Sequence, residues 1–234
     1  MPGHIRSIER AAAILRLLSG PSRRLRLSEL ASELELPKGT AHGLLRTLQG
    51  VGFVEQDEES GKYQLGPALL PMGSSYLDGN ELRTRSRGVA SKLAALTGES
   101  VRVGVLHQDQ VLILHQVLPR DDIRDTVEVG NLLPTDGTAL GEVLTANHGN
   151  GISGHDWAST IGGLSPGFAS IAAAIDDRHG VTVGAIAIHG PMERLCRDRR
   201  PRTDFVDHVV DAARAVSLQL GAVPALARST GTRS

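Results

Sequence analysis

The chain has 234 residues, of which 40% are hydrophobic, 22% are charged and 3% are aromatic. This length fits one or two domains, and the hydrophobic content predicts a folded chain. The few aromatic residues argue against an RNA-binding surface of stacked rings, and the single cysteine, Cys196, excludes a disulfide framework or a multi-cysteine zinc module. Because no apolar run approaches the roughly 18 residues of a membrane span and the charged N-terminus lacks a signal-peptide core, we expect a cytoplasmic protein with no membrane partner.

The net charge of −1 is unevenly distributed along the chain. The first 50 residues hold eight basic and four acidic residues, a net charge of +4, whereas the rest holds 17 and 22, a net charge of −5. A basic N-terminal end on an otherwise acidic chain fits a small nucleic-acid-binding head, although many proteins without such a partner show a similar asymmetry.

The first 50 residues are predicted to form three helices. Residues 6–18 carry apolar side chains at helical spacing, which are Ile8, Ala11, Ala12, Leu15 and Leu18. A second helix starts at Leu27 and Ser28, with Ser28 as a candidate N-cap. Pro37 suits the first turn of a third helix over 38–49. The buried stripe of that third helix is expected to hold Ala41, Leu44, Leu45 and Leu48.

Two short strands, over 53–55 and 62–65, are predicted next, with a turn between them. Three helices closed by a two-stranded hairpin describe a winged helix-turn-helix. The third helix would be the recognition helix, because the N-terminal residues of such a helix meet base edges and phosphates in the major groove of double-stranded DNA. The expected DNA-binding residues are Ser28, Lys38, Thr40, His42, Arg46, Lys62 and Tyr63.

The remaining chain predicts a second, α+β domain. Residues 66–80 are rich in Gly, Pro and Ser and mark the boundary, so we expect a winged head over 1–66 and a linker and dimerisation helix over 67–98. The sensor-like domain over 99–222 is expected to be an antiparallel sheet flanked by helices, with a disordered tail over 223–234. Its predicted elements are hairpins over 101–118 and 168–190, a strand over 125–130, a helix over 136–146, and a helix over 203–222 capped by Thr203.

No motif for catalysis, metal binding or cofactor binding is present: the sequence lacks HExxH, GxSxG, a P-loop and GxGxxG after a strand. We therefore expect a protein that is not an enzyme and needs no metal or cofactor. Two alternatives to DNA binding stay open. One is a small-molecule hydrolase or transferase that uses His189, Ser170 and an aspartate. The other is an interaction scaffold whose winged head binds protein.

Several runs resemble IclR-type bacterial transcription regulators. LPKGTAHGLLRTL followed by GFVEQD and YQLG resembles the N-terminal domain of that family. VGNLLPTDGTALGEVLTA and IAIHGPMERLCRD look like the effector-domain signature and the C-terminal strand and loop. Within the family, the runs are most similar to the glycerol-operon regulators of actinobacteria.

The resemblance implies a homodimer or tetramer that binds palindromic operator DNA, and a GAF-like C-terminal domain that binds a small-molecule effector. For a glycerol-type regulator the effector would be glycerol or glycerol 3-phosphate, and its binding would release repression. The alternative is the same DNA-binding repressor with a different effector or with none. Carried over from the family position by position, the effector-binding residues would be Leu133, Ala139, Leu140, Ser170, Ala187 and His189.

Three departures from the family pattern give further expectations. Asp136 and Glu142 stand where the signature has His and Lys, which should weaken the binding of an anionic effector. The segment 147–167 is shortened and Gly-rich, which predicts that one wall of the pocket is absent. Gly43 stands where many members have Arg, which removes a phosphate contact.

Overall fold

The structure, a computed structural model, describes residues 5–20, 22, 24–119, 127–146 and 156–223. The chain divides into two compact units, Met1–Leu77 and Asp78–Ser234. Of the tail expected over 223–234, only Val223 is described, and the rest lies outside the described residues. No helix in the described part of the chain is long and apolar enough to cross a membrane.

The first unit has the element order of a winged helix-turn-helix. Its elements are α1 (Arg6–Leu18), α2 (Leu27–Glu33), α3 (Lys38–Gly50), β1 (Val54–Gln56) and β2 (Tyr63–Leu65). The two strands pair antiparallel and form the wing. The core of this unit consists of side chains from all three helices and both strands, which are Ile14, Leu18, Leu30, Leu45, Leu48, Val54 and Tyr63.

Two details of the first unit differ from the prediction. Ile8 was expected on the buried stripe of α1 but is 63% exposed, because the small core covers only the face centred on Ile14 and Leu18. Ser28 is not the N-cap of α2, since the helix starts at Leu27 and Arg26 occupies the cap position. The backbone N–H of Arg26 donates to the carboxylate of Glu29 at 2.5 Å, which satisfies the helix start without a serine.

The expected linker helix is two helices, α4 (Leu69–Asp78) and α5 (Glu81–Thr97). The Gly, Pro and Ser content of 66–80 suggested an irregular join, but Pro71 falls in the first turn of α4, where a helix needs no N–H donor. Asn80 is the N-cap of α5, and its side-chain oxygen accepts from the backbone N–H of Arg83 at 2.9 Å. Helix α5 packs on the sheet of the second unit, and the division between the two units falls between Leu77 and Asp78. A linking and dimerising role for 67–98 stays a prediction.

The second unit is built on a six-stranded antiparallel sheet. Its strands are β3 (Ser100–His107), β4 (Gln110–Val117), β5 (Leu132–Pro134), β6 (Trp157–Ile161), β7 (Phe168–Asp176) and β8 (Thr182–Pro191). They lie in the order β5-β4-β3-β8-β7-β6, so both predicted hairpins are present. The other elements are α6 (Ala139–Ala146), α7 (Met192–Leu195), α8 (Thr203–Gln219) and a small hairpin of β9 (Cys196–Arg197) and β10 (Arg200–Pro201).

The two faces of this sheet carry side chains of different size. Helix α6 packs against a face with small side chains, among them Ala172, Ala185 and Ala187. On β7 and β8 the opposite face alternates small residues with larger ones, which are Ile171, Ile175, Ile186 and Ile188. Helices α5 and α8 pack against β3, β7 and β8. The small side chains beneath α6 leave room for a cavity on that face.

Three predictions for the second unit were wrong in detail. A strand was expected over 125–130, but the strand in this region is Leu132–Pro134. Residues 127–130 end in a turn, and 125–126 lies outside the described residues. The helix expected from Asp136 starts at Ala139, because Gly137 has a φ of +72° and cannot be helical. Thr203 is the first residue of α8, and Arg202 is its N-cap.

The segment 147–167 was described from the sequence as shortened and Gly-rich, and no strand was predicted in it. In its described part, Trp157–Ile161 forms the edge strand β6 and pairs along its length with β7. The residues WASTI include Trp157, Thr160 and Ile161, whose side chains favour strands, so a short strand signal was present.

Candidate DNA-binding face and effector cavity

Helix α3 separates an apolar face from a basic one. Ala41, Leu45 and Leu48 are buried against the other helices of the first unit. The side chains of Lys38, His42 and Arg46 are all exposed, and their spacing of four residues places them on one stripe of the helix. Such a stripe suits the major groove, because lysine and arginine neutralise phosphates and arginine also reaches guanine.

The other predicted DNA-binding residues fall into two groups. Ser28 is exposed or half-buried, as are Thr40 and Lys62, so their side chains reach the surface. Tyr63 is only 4% exposed and belongs to the core of the unit, which corrects the expectation that it contacts DNA. Its position is fixed by Leu25, since each backbone N–H donates to the other's carbonyl, at 2.7 and 3.1 Å.

Two glycines lie on the exposed side of α3. A Cβ atom added to Gly39 or Gly43 would meet nothing within 4 Å. Glycine inside a helix costs about 1 kcal/mol relative to alanine. Packing within the described residues therefore does not require either glycine, and a long side chain at position 43 has room.

The second unit contains a cavity between α6 and the sheet, with a volume of about 510 Å³ including the part open to solvent. All six effector-binding residues expected from the resemblance line it. They come from β5 (Leu133), α6 (Ala139 and Leu140), β7 (Ser170) and β8 (Ala187 and His189). The structure brings these residues together, and their contact with a ligand remains a prediction.

The sequence interpretation missed several polar residues of this cavity, of which Arg102 is the most important. Arg102 lies on β3 opposite Ala187 of β8, and its side chain is almost completely buried. The signal in the sequence was an arginine inside the apolar run VRVGV, because a charge in a buried strand needs a partner or a ligand. Thr138 and Thr160 also line the cavity and were not predicted.

Ser170 and His189 are neighbours across β7 and β8. The hydroxyl of Ser170 donates to the backbone carbonyl of Ile188 at 2.9 Å. The ring of His189 stacks on Phe168, with centroids 5.2 Å apart and an angle of 7° between the planes. The stacking holds the imidazole at the wall of the cavity, and the serine oxygen keeps its lone pairs for accepting a hydrogen bond.

The loop after β6 closes one side of the cavity, contrary to the expectation of an absent wall. Gly163, Leu164 and Ser165 all line the cavity. Gly163 packs so closely on Gly137 that a Cβ atom at position 163 would collide with the carbonyl oxygen of Gly137. Two glycines from distant parts of the chain therefore join this loop to the turn before α6.

The acidic residues expected to weaken an anionic ligand are outside the cavity. Asp136 and Glu142 are both exposed, and neither belongs to its lining. Burial raises the pKa of the Glu142 carboxyl, which lies on the outer side of α6. Among the described residues that line the cavity, Arg102 and His189 can carry positive charge and no side chain carries a carboxylate.

The arrangement does not provide an activated nucleophile. The hydroxyl proton of Ser170 is engaged with a backbone carbonyl instead of a general base. Burial raises the pKa of the Cys196 thiol, which disfavours the reactive thiolate. Within the described ranges, no three His, Cys, Asp or Glu side chains are close enough to hold a metal ion.

A winged unit with a basic recognition helix, followed by a unit with a small cavity between a helix and a sheet, is the arrangement of a DNA-binding transcription regulator with a sensor domain. Two family models match the chain: the IclR helix-turn-helix domain over residues 7–58 and the bacterial transcriptional regulator IclR C-terminal domain over residues 74–152. The chain belongs to the IclR family of bacterial transcription regulators. The relatives and the fold are those of regulators, not of enzymes.

Three proteins illustrate the similarity. The glycerol operon regulatory protein of Streptomyces coelicolor is 47% identical over 251 aligned residues, which cover 95% of this chain and 99% of the relative. The crystal structure of an IclR transcriptional regulator from Alicyclobacillus acidocaldarius matches with a TM-score of 0.75 at 25% identity, covering 94% and 98% of the two chains. An IclR homolog complexed with 4-hydroxybenzoate from Microbacterium hydrocarbonoxydans matches with a TM-score of 0.75 at 18% identity, covering 92% and 98%.

Proposed function

We propose that this protein represses an operon for the catabolism of glycerol or a related carbon source, and that glycerol or glycerol 3-phosphate releases it from the operator. The observation that carries the DNA-binding part is the surface stripe of Lys38, His42 and Arg46 on the recognition helix. The glycerol part is supported by similarity to a glycerol operon regulatory protein over nearly the full length of both chains.

A homodimer or tetramer is part of the proposal. Helix α4 has no buried residue. Its large hydrophobic side chains Leu70, Met72 and Tyr76 are 53–73% exposed. An exposed apolar helix of this kind favours burial against a second copy of the chain. Two winged heads related by two-fold symmetry would read the two halves of a palindromic operator, in the cytoplasm where the DNA is found.

The effector would act through the cavity in the second unit. A metabolite can shift the affinity for DNA only by binding one arrangement of the dimer more tightly than another. A ligand lodged between α6 and the sheet would contact six structural elements at once, so it is well placed to prefer one arrangement.

The test is binding of the full chain to a fluorescent duplex from its own upstream region, measured by anisotropy, with a scrambled duplex as the control. We expect tight binding that weakens steeply between about 50 and about 200 mM salt, because phosphate contacts release counterions. Addition of glycerol or glycerol 3-phosphate should then release the operator duplex.

Each outcome bears on a different part of the proposal. Equal affinity for the operator and scrambled duplexes would contradict a specific regulator. Binding that does not depend on salt would favour a head that binds protein instead. Specific binding that neither ligand releases would contradict the proposed effectors and leave the DNA-binding part standing.

A further inference from the structure

We propose that the outer edge of β6 pairs antiparallel with β6 of a second copy of the chain, about a two-fold axis at Ser159. The two six-stranded sheets would then form one continuous sheet across the axis. The proposal rests on the proposed function and deepens it, since this contact would join two homodimers formed through α4 into a tetramer. The four winged heads of such a tetramer could hold two palindromic operators at once.

The two edge strands of the sheet differ in their protection against pairing. Strand β5 has three residues and ends at Pro134, which has no N–H to donate. Strand β6 has five residues, WASTI, with no proline and no charged side chain. Its register with β7 runs without a shift from Trp157 to Ile161, so no bulge bends the strand away. Short length, proline, charge and bulges are the features that protect natural edges, and β6 has none of them.

The direction of the backbone groups of β6 follows from its hydrogen bonds to β7. The N–H of Gly162 donates to the carbonyl of Phe168 at 2.8 Å. The N–H of Ala174 donates to the carbonyl of Asp156 at 3.1 Å. Because both polar groups of a residue in an antiparallel strand point to the same side, the even-numbered residues of β6 pair with β7. The odd-numbered residues direct their N–H and C=O groups outward, and these are Trp157, Ser159 and Ile161.

The edge of β6 is complementary to itself. A two-fold axis at Ser159 places each Trp157 opposite Ile161 of the second copy, and an aromatic residue opposite a β-branched one is a stabilising pair. The outward residues of the two strands would exchange about six backbone hydrogen bonds. Asp156 would lie opposite Gly162 of the second copy, so the two carboxylates stand about 20 Å apart, well beyond the roughly 8 Å screening length of salt. A second copy therefore fits this edge without bringing like charges together.

Trp157 adds apolar surface to the same edge. It is the only tryptophan of the chain and is 38% exposed. Leu164, in the loop after β6, is 51% exposed. Tryptophan is enriched in the buried centres of protein interfaces, and a partner strand on β6 would cover this side chain. Exposed apolar surface and outward backbone groups thus lie together at one edge of the sheet.

The test is the molar mass of the full-length protein in solution, measured by analytical ultracentrifugation over a range of concentrations. We expect a tetramer that Ser159→Pro reduces to a dimer, because proline removes the outward N–H at the centre of the contact. The pairing of β6 with β7 does not use this N–H, so the fold should tolerate proline there. Ser159→Ala is the matched control, since it keeps the N–H and should remain a tetramer.

Charges at position 159 test the two-fold axis itself. In Ser159→Lys, and equally in Ser159→Glu, two like charges would meet at the axis, so each variant alone should be a dimer. Mixing the two variants places lysine opposite glutamate and should restore tetramers. Thermal melting curves report whether each variant is folded. If Ser159→Pro does not fold, the mixture of the lysine and glutamate variants decides.

Three results would overturn the proposal: an unmodified chain that is a monomer, an unchanged mass in folded Ser159→Pro, or lysine and glutamate variants that stay dimers when mixed. An unchanged mass is also expected if another segment of the chain or a strand of a different protein covers the edge. An unmodified dimer that becomes a monomer in Ser159→Pro would support the β6 contact and contradict the dimer through α4. If the mass halves as expected but no operator is bound, the proposed function fails and this proposal stands.

Discussion

The recognition helix and the effector cavity differ in how their residues are brought together. Lys38, His42 and Arg46 lie on one helix, and helical periodicity alone places them on one face. The cavity takes residues from five strands and one helix, between Arg102 and His189 in the sequence. A local site of the first kind can be found from spacing, whereas the second depends on the register of a sheet.

The largest expected effect follows from removing the basic stripe. Lys38→Gln combined with Arg46→Gln should weaken operator binding by at least about 30-fold, because each lost contact to DNA costs about 1–3 kcal/mol. The slope of the logarithm of affinity against the logarithm of salt concentration should fall by about 0.9 for each phosphate that the variant no longer neutralises. Anisotropy titrations at several salt concentrations measure both quantities.

The control for the basic stripe is Arg214→Gln, which removes a positive charge from an exposed side chain of α8 in the second unit. We expect it to leave both the operator affinity and the salt slope nearly unchanged. An equal loss in the control variant would mean that overall charge, and not the stripe on α3, drives binding.

The next effect concerns the closure of the cavity. Gly163→Ala places a methyl group against the carbonyl oxygen of Gly137, so the loop after β6 must move away from the turn before α6. We expect a loss of about 1–3 kcal/mol in the free energy of unfolding and a weakened response to the effector. Chemical denaturation and calorimetry measure the two effects.

Gly88→Ala is a matched control for this substitution, since a Cβ atom on Gly88 of α5 meets nothing within 4 Å. Alanine there should raise stability by about 1 kcal/mol through helix propensity alone. A stabilising Gly163→Ala would show that the close approach of the two loops is not needed.

The sequence predicted the main helices and hairpins and six of the sixteen residues that line the cavity. The spacing of Ala41, Leu45 and Leu48 predicts the buried face of α3. The opposite face of the same helix could therefore be predicted to be exposed. The six lining residues came from resemblance to a family, not from spacing. Arg102 was missed because only the pairing of β3 with β8 shows that it shares a face with His189 and Ala187.

Tyr63 and Glu142 show the opposite error. Each was given a role at a site from its place in a motif. A one-dimensional motif does not specify which way a side chain points, so the assignment failed. Tyr63 faces the core of its unit, and Glu142 lies on the outer side of α6. Burial on folding, which decides both cases, is a property of the packed chain.

A smaller effect is expected from the missing side chain on the recognition helix. Gly43→Arg should strengthen operator binding several-fold and raise the salt slope by about 0.9, because a phosphate contact is added. Gly43→Ala separates this contact from helix propensity, since it should stabilise the first unit by about 1 kcal/mol without changing the slope. An unchanged slope in Gly43→Arg would show that position 43 does not face the phosphates.

The smallest effect is expected at the acidic residues of the signature. Asp136→Asn and Glu142→Gln should each change the affinity for glycerol 3-phosphate by less than about twofold, since exposed charges outside the cavity are screened by salt. Calorimetry measures this change. A tenfold gain in affinity would mean that these carboxylates act on the ligand directly.

The most direct test of a regulator with separable DNA-binding and sensing sites is the operator complex of Ala187→Phe, which fills part of the cavity with a larger side chain, titrated with glycerol or glycerol 3-phosphate. We expect this variant to bind the operator within about twofold of the unmodified protein, because its recognition helix is intact. We expect no release at concentrations that dissociate the unmodified complex. Release at the same concentration as in the unmodified protein, or loss of operator binding in a folded variant, would contradict the account.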